Sequence, residues 1–478
     1  MELLTYEAQA EQKYRPVFHF SPPNGWMNDP NGLLYHDGIY HLYYQHNPHS
    51  LDWGPMHWGH AISTDLIRWE HLPIAFEPEG EKTDYYSGCA VFDSSNTSGF
   101  FKEGSGIVAI YTHRTDGVQE QAVSWSNDGG RTFTPYQKNP VIPNPGCPDF
   151  RDPKVFWMEE TSSWHMVLVK KNCVEFYRSS NLRNWEKTGS FGHAHGLHRG
   201  SWECPDLFPL QAAETNARKW ILIVGDFALS RTQYFVGEFD GQTFHCDSNC
   251  EQGNLLDYGY DNYSGNTYNG TVDGRRVFIS WLNSTLLWNC VPTSPWRGIY
   301  TFPRLLSLKK YDDGYHLLQM PIPELSNRLV ETKHVCETLP YGLSPLPLQG
   351  QALCLDASLQ NKDASRVQFL LAASGAEHLE VGIDFRLGHV YVDRSHTGNC
   401  SFAADKQFYP LFADCPARID NGKIFLRILL DRCSVEVFVN NGEQCLTSLY
   451  FTSQCGQLAY VCTDGEVFGD ISISTVGP

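Results

Sequence analysis

The sequence predicts an all-β chain in two parts, a ring of repeated sheets of the β-propeller kind followed by a β-sandwich. Three observations lead there. Short runs of β-branched and aromatic residues recur along the chain, each closed by Gly, Asn, Asp or Pro. A turn-like element repeats through the first half, and the texture of the sequence changes between about residues 320 and 350.

The runs "GIVAIYTH", "WHMVLVKK", "KWILIVGDF" and "RRVFISWL" have the composition and length of strands, with turn residues at their ends. The repeat is carried by "STDLIRWE", ending in Trp69-Glu70, "SNDGGRTF", ending in Phe133, "SSNLRNWE", ending in Trp185-Glu186, and "FDGQTF", ending in Phe244. Its spacing of about 50 to 65 residues suits a four-stranded blade, which cannot bury its faces without neighbours. The repeat and the later change of texture divide the chain into a propeller over 14–325 and a sandwich over 340–478, joined through "QMPIPELSNRL" and the Pro/Leu-rich "ETLPYGLSPLPLQG". In the second part Val435, Val437 and Val439 alternate along one strand face, and Asn440-Asn441-Gly442 is expected to turn a hairpin.

Composition narrows the function. The 478 residues carry 36 Lys+Arg against 54 Asp+Glu, a net charge of −18, which disfavours nucleic acid and anionic membranes as partners. Aromatics reach 13%, including 13 Trp and 24 Tyr, a supply of flat rings suited to stacking on sugars as well as to core packing. No stretch has the roughly 20 apolar residues of a membrane span. The N-terminal "MELLTYEAQAEQKYRPVFHF" lacks a basic region followed by an apolar one, so a cytoplasmic location is expected. The 15 Cys, among them Cys173, Cys354, Cys433 and Cys462, lie mostly in strand-like segments and are expected as buried free thiols. Asn-x-Ser/Thr triplets at Asn96, Asn262, Asn269, Asn283 and Asn399 would matter only in a secreted eukaryotic protein.

Three acids stand in constrained contexts. In "NGWMNDPNGLLYHDG", Asp29 precedes Pro30 and the turn residues Asn31-Gly32; proline pushes the residue before it towards an extended backbone, so Asp29 should be rigidly aimed. In "DFRDPKVFW", Asp152 repeats the Asp-Pro arrangement at the head of a strand, after Arg151. In "SWECPDLFPL", Glu203 lies between Trp202 and Cys204, where an apolar setting should keep it protonated near neutral pH, as a general acid requires. Asp29, kept ionised by hydrogen-bond donors, could act as a nucleophile. Each acid alone could be a turn or interface residue. Three of them on successive blades would converge on the axial channel.

Taken together, "WMNDPNG", "FRDP" and "WECPDLF" resemble, in order, the three signature boxes of glycoside hydrolase family 32, the invertase, levanase and inulinase family of β-fructofuranosidases. "YYQHNP", "WGPMHWGHAISTDLIRW", "YYSGCAV", "PTSPWRGIYTFPRLLSL" and "LLDRCSVEVFVNNG" extend the resemblance over nearly the whole chain. It implies a five-bladed β-propeller catalytic domain followed by a β-sandwich, a retaining mechanism and no metal or cofactor. It implies Asp29 as nucleophile, Glu203 as acid/base and Asp152 as stabiliser of the transition state through the fructose hydroxyls. Asn28, Gln45, Trp53, Ser87, Arg151, Cys204, Tyr263 and Trp281 fall where the family lines its fructose pocket. A retaining pair would place the carboxyls of Asp29 and Glu203 about 5 to 5.5 Å apart. Tyr86 and Cys89 depart from the family at the pocket wall, and Asp261-Asn262-Tyr263 looks more like the levanase and exo-inulinase branch; Ser264 and Asn266 match neither branch closely.

The expected activity is removal of terminal β-fructosyl residues from fructo-oligosaccharides, fructans and sucrose. Two alternatives use the same fold: a fructosyltransferase, in which a sugar hydroxyl replaces water, and a non-catalytic fructan-binding module, which would have lost a carboxylate that this chain keeps. His193, His195 and His198 have a spacing that could ligate a metal, but substrate binding or a solvated loop is favoured. His57 and His60 of "HWGH" are expected in the Trp-rich pocket wall, and Cys246 and Cys250 in a loop.

Overall fold

The computed structural model describes residues 13–102, 104–247, 251–400 and 409–478. Among them the strands form seven sheets. Five sheets of four or five strands succeed one another between Gly25 and Pro321, and two six-stranded sheets occupy Leu329–Val476. The innermost long strands of the five are Gly25–His36, Thr83–Asp93, Phe150–Met158, Trp202–Gln211 and Tyr263–Thr267. Each packs against the next, and the last returns to the first, so the five sheets close into a ring. Apolar side chains fill the gap between neighbours: Val108, Ile110 and Val123 of the second sheet meet Phe150, Met166 and Leu168 of the third, which in turn shares a core with Trp202, Leu222 and Phe235 of the fourth.

The repeated sequence element is one turn used four times. It joins the third and fourth strands of the first four sheets, and its Asp or Asn caps the backbone that follows. Asp65 Oδ1 accepts from the N–H groups of Ile67 and Arg68, Asp128 Oδ1 from Arg131 and Thr132, Asn181 Oδ1 from Arg183 and Asn184, and Asp240 Oδ1 from Gln242 and Thr243. A short polar side chain that satisfies two loop donors is why the position repeats as Asp or Asn.

The two six-stranded sheets share one core that includes Val435, Val437 and Val439. The alternate residues of that strand face the ring: Phe438 packs with its aromatic core and Glu436 binds Arg304. Asn440, Asn441 and Gly442 all have positive φ in the turn to Gln444–Leu449, and a Cβ on Gly442 would lie 1.9 Å from the Gln319 carbonyl. The outer strand Leu329–Thr338 pairs along Val467–Val476, so this unit takes up chain ahead of residue 340. Its side chains are mostly exposed and polar, which left it without the alternation that marks a half-buried strand. Every described cysteine is a free thiol; Cys173, Cys354 and Cys433 are buried, Cys462 is half-buried, and Cys250 lies outside the described residues.

Candidate active site

The innermost strands share one irregularity. In all five, two consecutive residues oppose a single residue of the neighbouring strand: Asn28-Asp29 opposite Gln45, Tyr86-Ser87 opposite Thr112, Asp152-Pro153 opposite Leu168, Cys204-Pro205 opposite Val224, and Ser264-Gly265 opposite Ser280. A bulge of this kind bends the strand and re-aims a side chain. Here five bulges at one level turn their side chains into the axis of the ring. Pro153 and Pro205 lie within two of them and Pro30 follows a third, and a residue without an N–H is accommodated where the ladder is already broken. Asp152, Cys204 and Ser264 have left-handed backbones, with φ of 64°, 48° and 54°. Asp152 therefore departs from the extended conformation expected ahead of a proline. Its N–H donates to Thr112 Oγ1 at 2.9 Å and its Oδ2 accepts from the Cys204 N–H at 3.0 Å, bonds that hold the strained backbone in place.

One cavity on the axis is lined by Asn28, Asp29, Gln45, Trp53, Ser87, Arg151, Asp152, Glu203, Tyr263 and Trp281. The three acids thus meet from the first, third and fourth sheets. Asp29 is fixed by three donors: Asn28 Nδ2 at 3.1 Å on Oδ1, and Ser87 Oγ at 2.6 Å and Cys204 Sγ at 3.3 Å on Oδ2. Trp26 in turn orients Asn28, its Nε1 donating to Asn28 Oδ1 at 2.7 Å. Glu203 is held at both oxygens, by Arg151 Nη2 at 2.9 Å and by the Tyr263 hydroxyl at 2.9 Å. Beneath the acids Lys154 and Asp206, both buried, pair at 3.4 Å and fill the axis between this cavity and one on the far side.

Burial dominates the protonation of the cluster. It pushes the Asp152 carboxyl up to about 7, against the pull of Arg151 and with the charges of Glu203 and Asp29 adding to the rise. The Glu203 carboxyl is also raised, by burial first, with Arg151 opposing and Asp29 reinforcing. Burial and then the neighbouring carboxylates push the Cys204 thiol well up, so it stays a donor. For Arg151, burial is outweighed by Glu203, Asp152 and Asp149, and the guanidinium stays charged. The site therefore gathers an acid of raised pKa, Glu203, an Asp29 carboxyl fixed in direction and the permanent cation of Arg151 in one cavity.

Four placements differ from the sequence expectation. Trp202 does not flank the Glu203 carboxyl: successive strand residues point to opposite faces, and its indole is buried between sheets with Nε1 donating to the Leu197 carbonyl at 2.7 Å. Cys204 lies beneath the cavity floor, with its thiol between Asp29 and Asp152. His57 and His60 are not wall residues; His60 is fully buried against the Tyr43 ring at 4.1 Å, and His57 bonds the Pro55 carbonyl. Cys89 is likewise buried in the core between sheets, whereas Tyr86 does line the cavity. Of the histidine-rich loop, His195 stacks on Phe191 and His198 on Trp202, away from the cavity lining. Among the described residues no group of three His, Cys, Asp or Glu side chains could hold a metal ion.

Gln119, Phe227, Thr285 and Trp288 also line the cavity without having been singled out. Gln119 accepts from Arg151 Nη1 at 3.3 Å and from the Phe150 N–H at 2.9 Å, a supporting role invisible without the fold. Trp288 lies nearly parallel to Trp53, ring centroids 6.3 Å apart, and Phe227 meets it edge-on.

Residues 19–321 match the profile of the glycosyl hydrolases family 32 N-terminal domain, and residues 326–475 that of the family 32 C-terminal domain. The chain belongs to glycosyl hydrolase family 32. It is a glycoside hydrolase. It is 43% identical to a levanase of Bacillus subtilis over 92% of this chain and 66% of that protein. It is 37% identical to an extracellular exo-inulinase of Aspergillus awamori over 98% of this chain and 95% of that one. The crystal structure of the A. awamori exo-inulinase superposes with a TM-score of 0.91 at 35% identity, covering 98% of this chain and 99% of that one. A β-fructofuranosidase of Schwanniomyces occidentalis, solved with fructosyl-erythritol, superposes with a TM-score of 0.90 at 28% identity over 98% and 99%.

Proposed function

We propose that this family 32 enzyme is a retaining β-fructofuranosidase, built as a five-bladed β-propeller with an appended β-sandwich, that removes terminal fructosyl units from fructo-oligosaccharides, fructans and sucrose. Glu203 protonates the glycosidic oxygen while Asp29 attacks the anomeric carbon, forming a covalent fructosyl-enzyme; water deprotonated by Glu203 then releases fructose. Asp152 and Arg151 bind the sugar hydroxyls, and Asn28, Gln45, Trp53, Ser87, Tyr263 and Trp281 surround the ring. Phe227, Thr285 and Trp288 stand towards the leaving group.

The observation that carries this reading is the division of labour among the acids of one cavity. Asp29 is pinned by three donors, while burial raises the Glu203 pKa and Arg151 and Tyr263 hold its two oxygens. A nucleophile needs fixed direction, since a misplacement of about 1 Å can cost on the order of a hundredfold in rate. An acid needs an elevated pKa. Removal of single end units is supported by a cavity backed by the buried Lys154–Asp206 pair, which makes it a pocket and not a through-channel.

The test is Asp29→Asn, assayed on sucrose, inulin and levan with product chromatography. Turnover should fall on the order of 10⁴-fold without loss of folding, because the amide keeps the shape and loses the nucleophile. The unaltered enzyme should release fructose as the sole early product from the polymers. Near-normal turnover by the variant would refute the nucleophile, and early release of oligosaccharides would refute end-unit removal.

A further inference from the structure

The strand that carries Tyr263 to Glu203 is held from the sandwich. Residues 257–262 run along Gln444–Leu449, the last strand of a six-stranded sheet, and cover that open edge. Tyr258 N–H donates to the Cys445 carbonyl at 2.8 Å, Thr447 N–H to Asp257 Oδ1 at 2.8 Å and Leu449 N–H to Asp261 Oδ2 at 2.7 Å. Gly259 permits the contact, since a Cβ there would lie 2.0 Å from the Thr447 carbonyl oxygen. The anchor is Asp261, fully buried, which also accepts from Arg394 Nη1 at 2.6 Å and from the Tyr409 hydroxyl at 2.6 Å. Arg394 is itself buried and bonds the carbonyls of Leu449 and Pro410.

Two residues on from Asp261, the buried Tyr263 ring lies against Gly225, where a side chain would come within 2.8 Å of it, and its hydroxyl reaches Glu203 Oε2 at 2.9 Å. Between them Asn262 Nδ2 donates to Asp257 Oδ2 at 2.9 Å, so the link is stiff. We propose that Arg394 and Asp261 form a positioning pair through which the sandwich sets Tyr263, and Tyr263 sets the acid/base. This rests on the reading of Glu203 as acid/base given above. It makes the second unit part of the catalytic apparatus.

The groups facing Glu203 are Arg151 and Asp152 from the third sheet, Asp29 from the first, Cys204 beside it and Tyr263 from the fifth. Of these only Tyr263 is reached from Arg394. Its hydroxyl donates to the ionised carboxyl and so favours the ionised form; losing that bond must raise the Glu203 pKa. Because Glu203 acts protonated in the first step, the basic limb of kcat/KM against pH moves upward when Tyr263 is displaced.

The experiment compares pH profiles of Tyr263→Phe, Arg394→Met, Arg394→Lys and Asp261→Asn, each first shown folded by a thermal melt above the assay temperature. Tyr263→Phe should move the basic limb up by about half to one pH unit, the size of one hydrogen bond. Arg394→Met and Asp261→Asn should move it in the same direction, Arg394→Lys less, and Arg394→Met should add nothing to Tyr263→Phe. A purely structural role would scale activity at every pH and leave the limb where it is. A limb unmoved in the folded Arg394 and Asp261 variants overturns the proposal, as does an additive double variant. Glu203→Gln is the separate control: if it keeps the basic limb, the acid/base reading fails instead.

Discussion

Replacing His19 by Gln should cost stability in slightly acidic solution and nothing in strongly alkaline solution. His19 is fully buried, with Nδ1 2.8 Å from Asp431 Oδ2 and Nε2 2.8 Å from Glu436 Oε1. Both carboxylates belong to the sandwich, and Glu436 is shared with Arg304 of the ring at 2.6 Å. Burial alone would depress the imidazole; the two carboxylates outweigh it and hold the pKa up at about 9, against 6.5 unperturbed. That gap corresponds to about 3 kcal/mol. Because the folded pKa is raised, the contribution is fully present below about pH 6.5 and is lost as pH rises through 9. For Glu436, burial is outweighed by Arg304 and then His19, so its pKa is lowered and its contribution is lost only in acid. At about 2.1 cal/mol/K per residue, cooperative unfolding of a chain this long carries roughly 1 kcal/mol/K, so the variant should melt about 3 °C lower at pH 6. The assay is Tm against pH for both proteins between pH 6 and 10. The curves should converge above pH 9. A difference that stays constant or widens would refute the ionic account of this interface.

Two further outcomes follow from the site. Glu203→Gln should slow sucrose by roughly 10² to 10⁴-fold but spare fructosyl fluoride in the first step, since only the poor leaving group needs a proton; equal losses would remove the acid role. Iodoacetamide at pH 8 should label the exposed Cys290, Cys336 and Cys455 and leave Cys204 intact, because its thiol is buried and pushed well above the usual range; rapid modification of Cys204 by peptide mapping would contradict the placement.

What the sequence disclosed was local chemistry. Asp65, Asp128, Asn181 and Asp240 each satisfy donors within a few residues, so the repeating turn could be read from spacing, and with it the succession of sheets. Asp29, Asp152 and Glu203 stood out because proline, tryptophan and cysteine crowd them. The bulges at those positions were not legible, since a bulge is a mismatch in register between two paired strands, which neither strand shows by itself. The burial of His60 was equally hidden, since its neighbours Tyr43 and His41 arrive from another strand. Trp202 lies away from the Glu203 carboxyl for a simpler reason: adjacency along a strand separates side chains onto opposite faces. Phe227 and Thr285 come to the cavity from loops and Trp288 from a short 3-10 helix, none with a motif of its own. The anchoring of residues 257–262 depends on Arg394 and Thr447, more than a hundred residues downstream.

The central claim is a double displacement in which Asp29 bonds to the sugar and Glu203 serves first as acid and then as base. The stereochemistry of the first product tests it most directly. Hydrolysis of sucrose at high enzyme concentration, followed by NMR before mutarotation, should show β-fructofuranose appearing first, because two inversions at the anomeric carbon preserve its configuration. An initial α-fructofuranose signal would mean a single displacement by water, with Asp29 acting as a base, and would contradict the account.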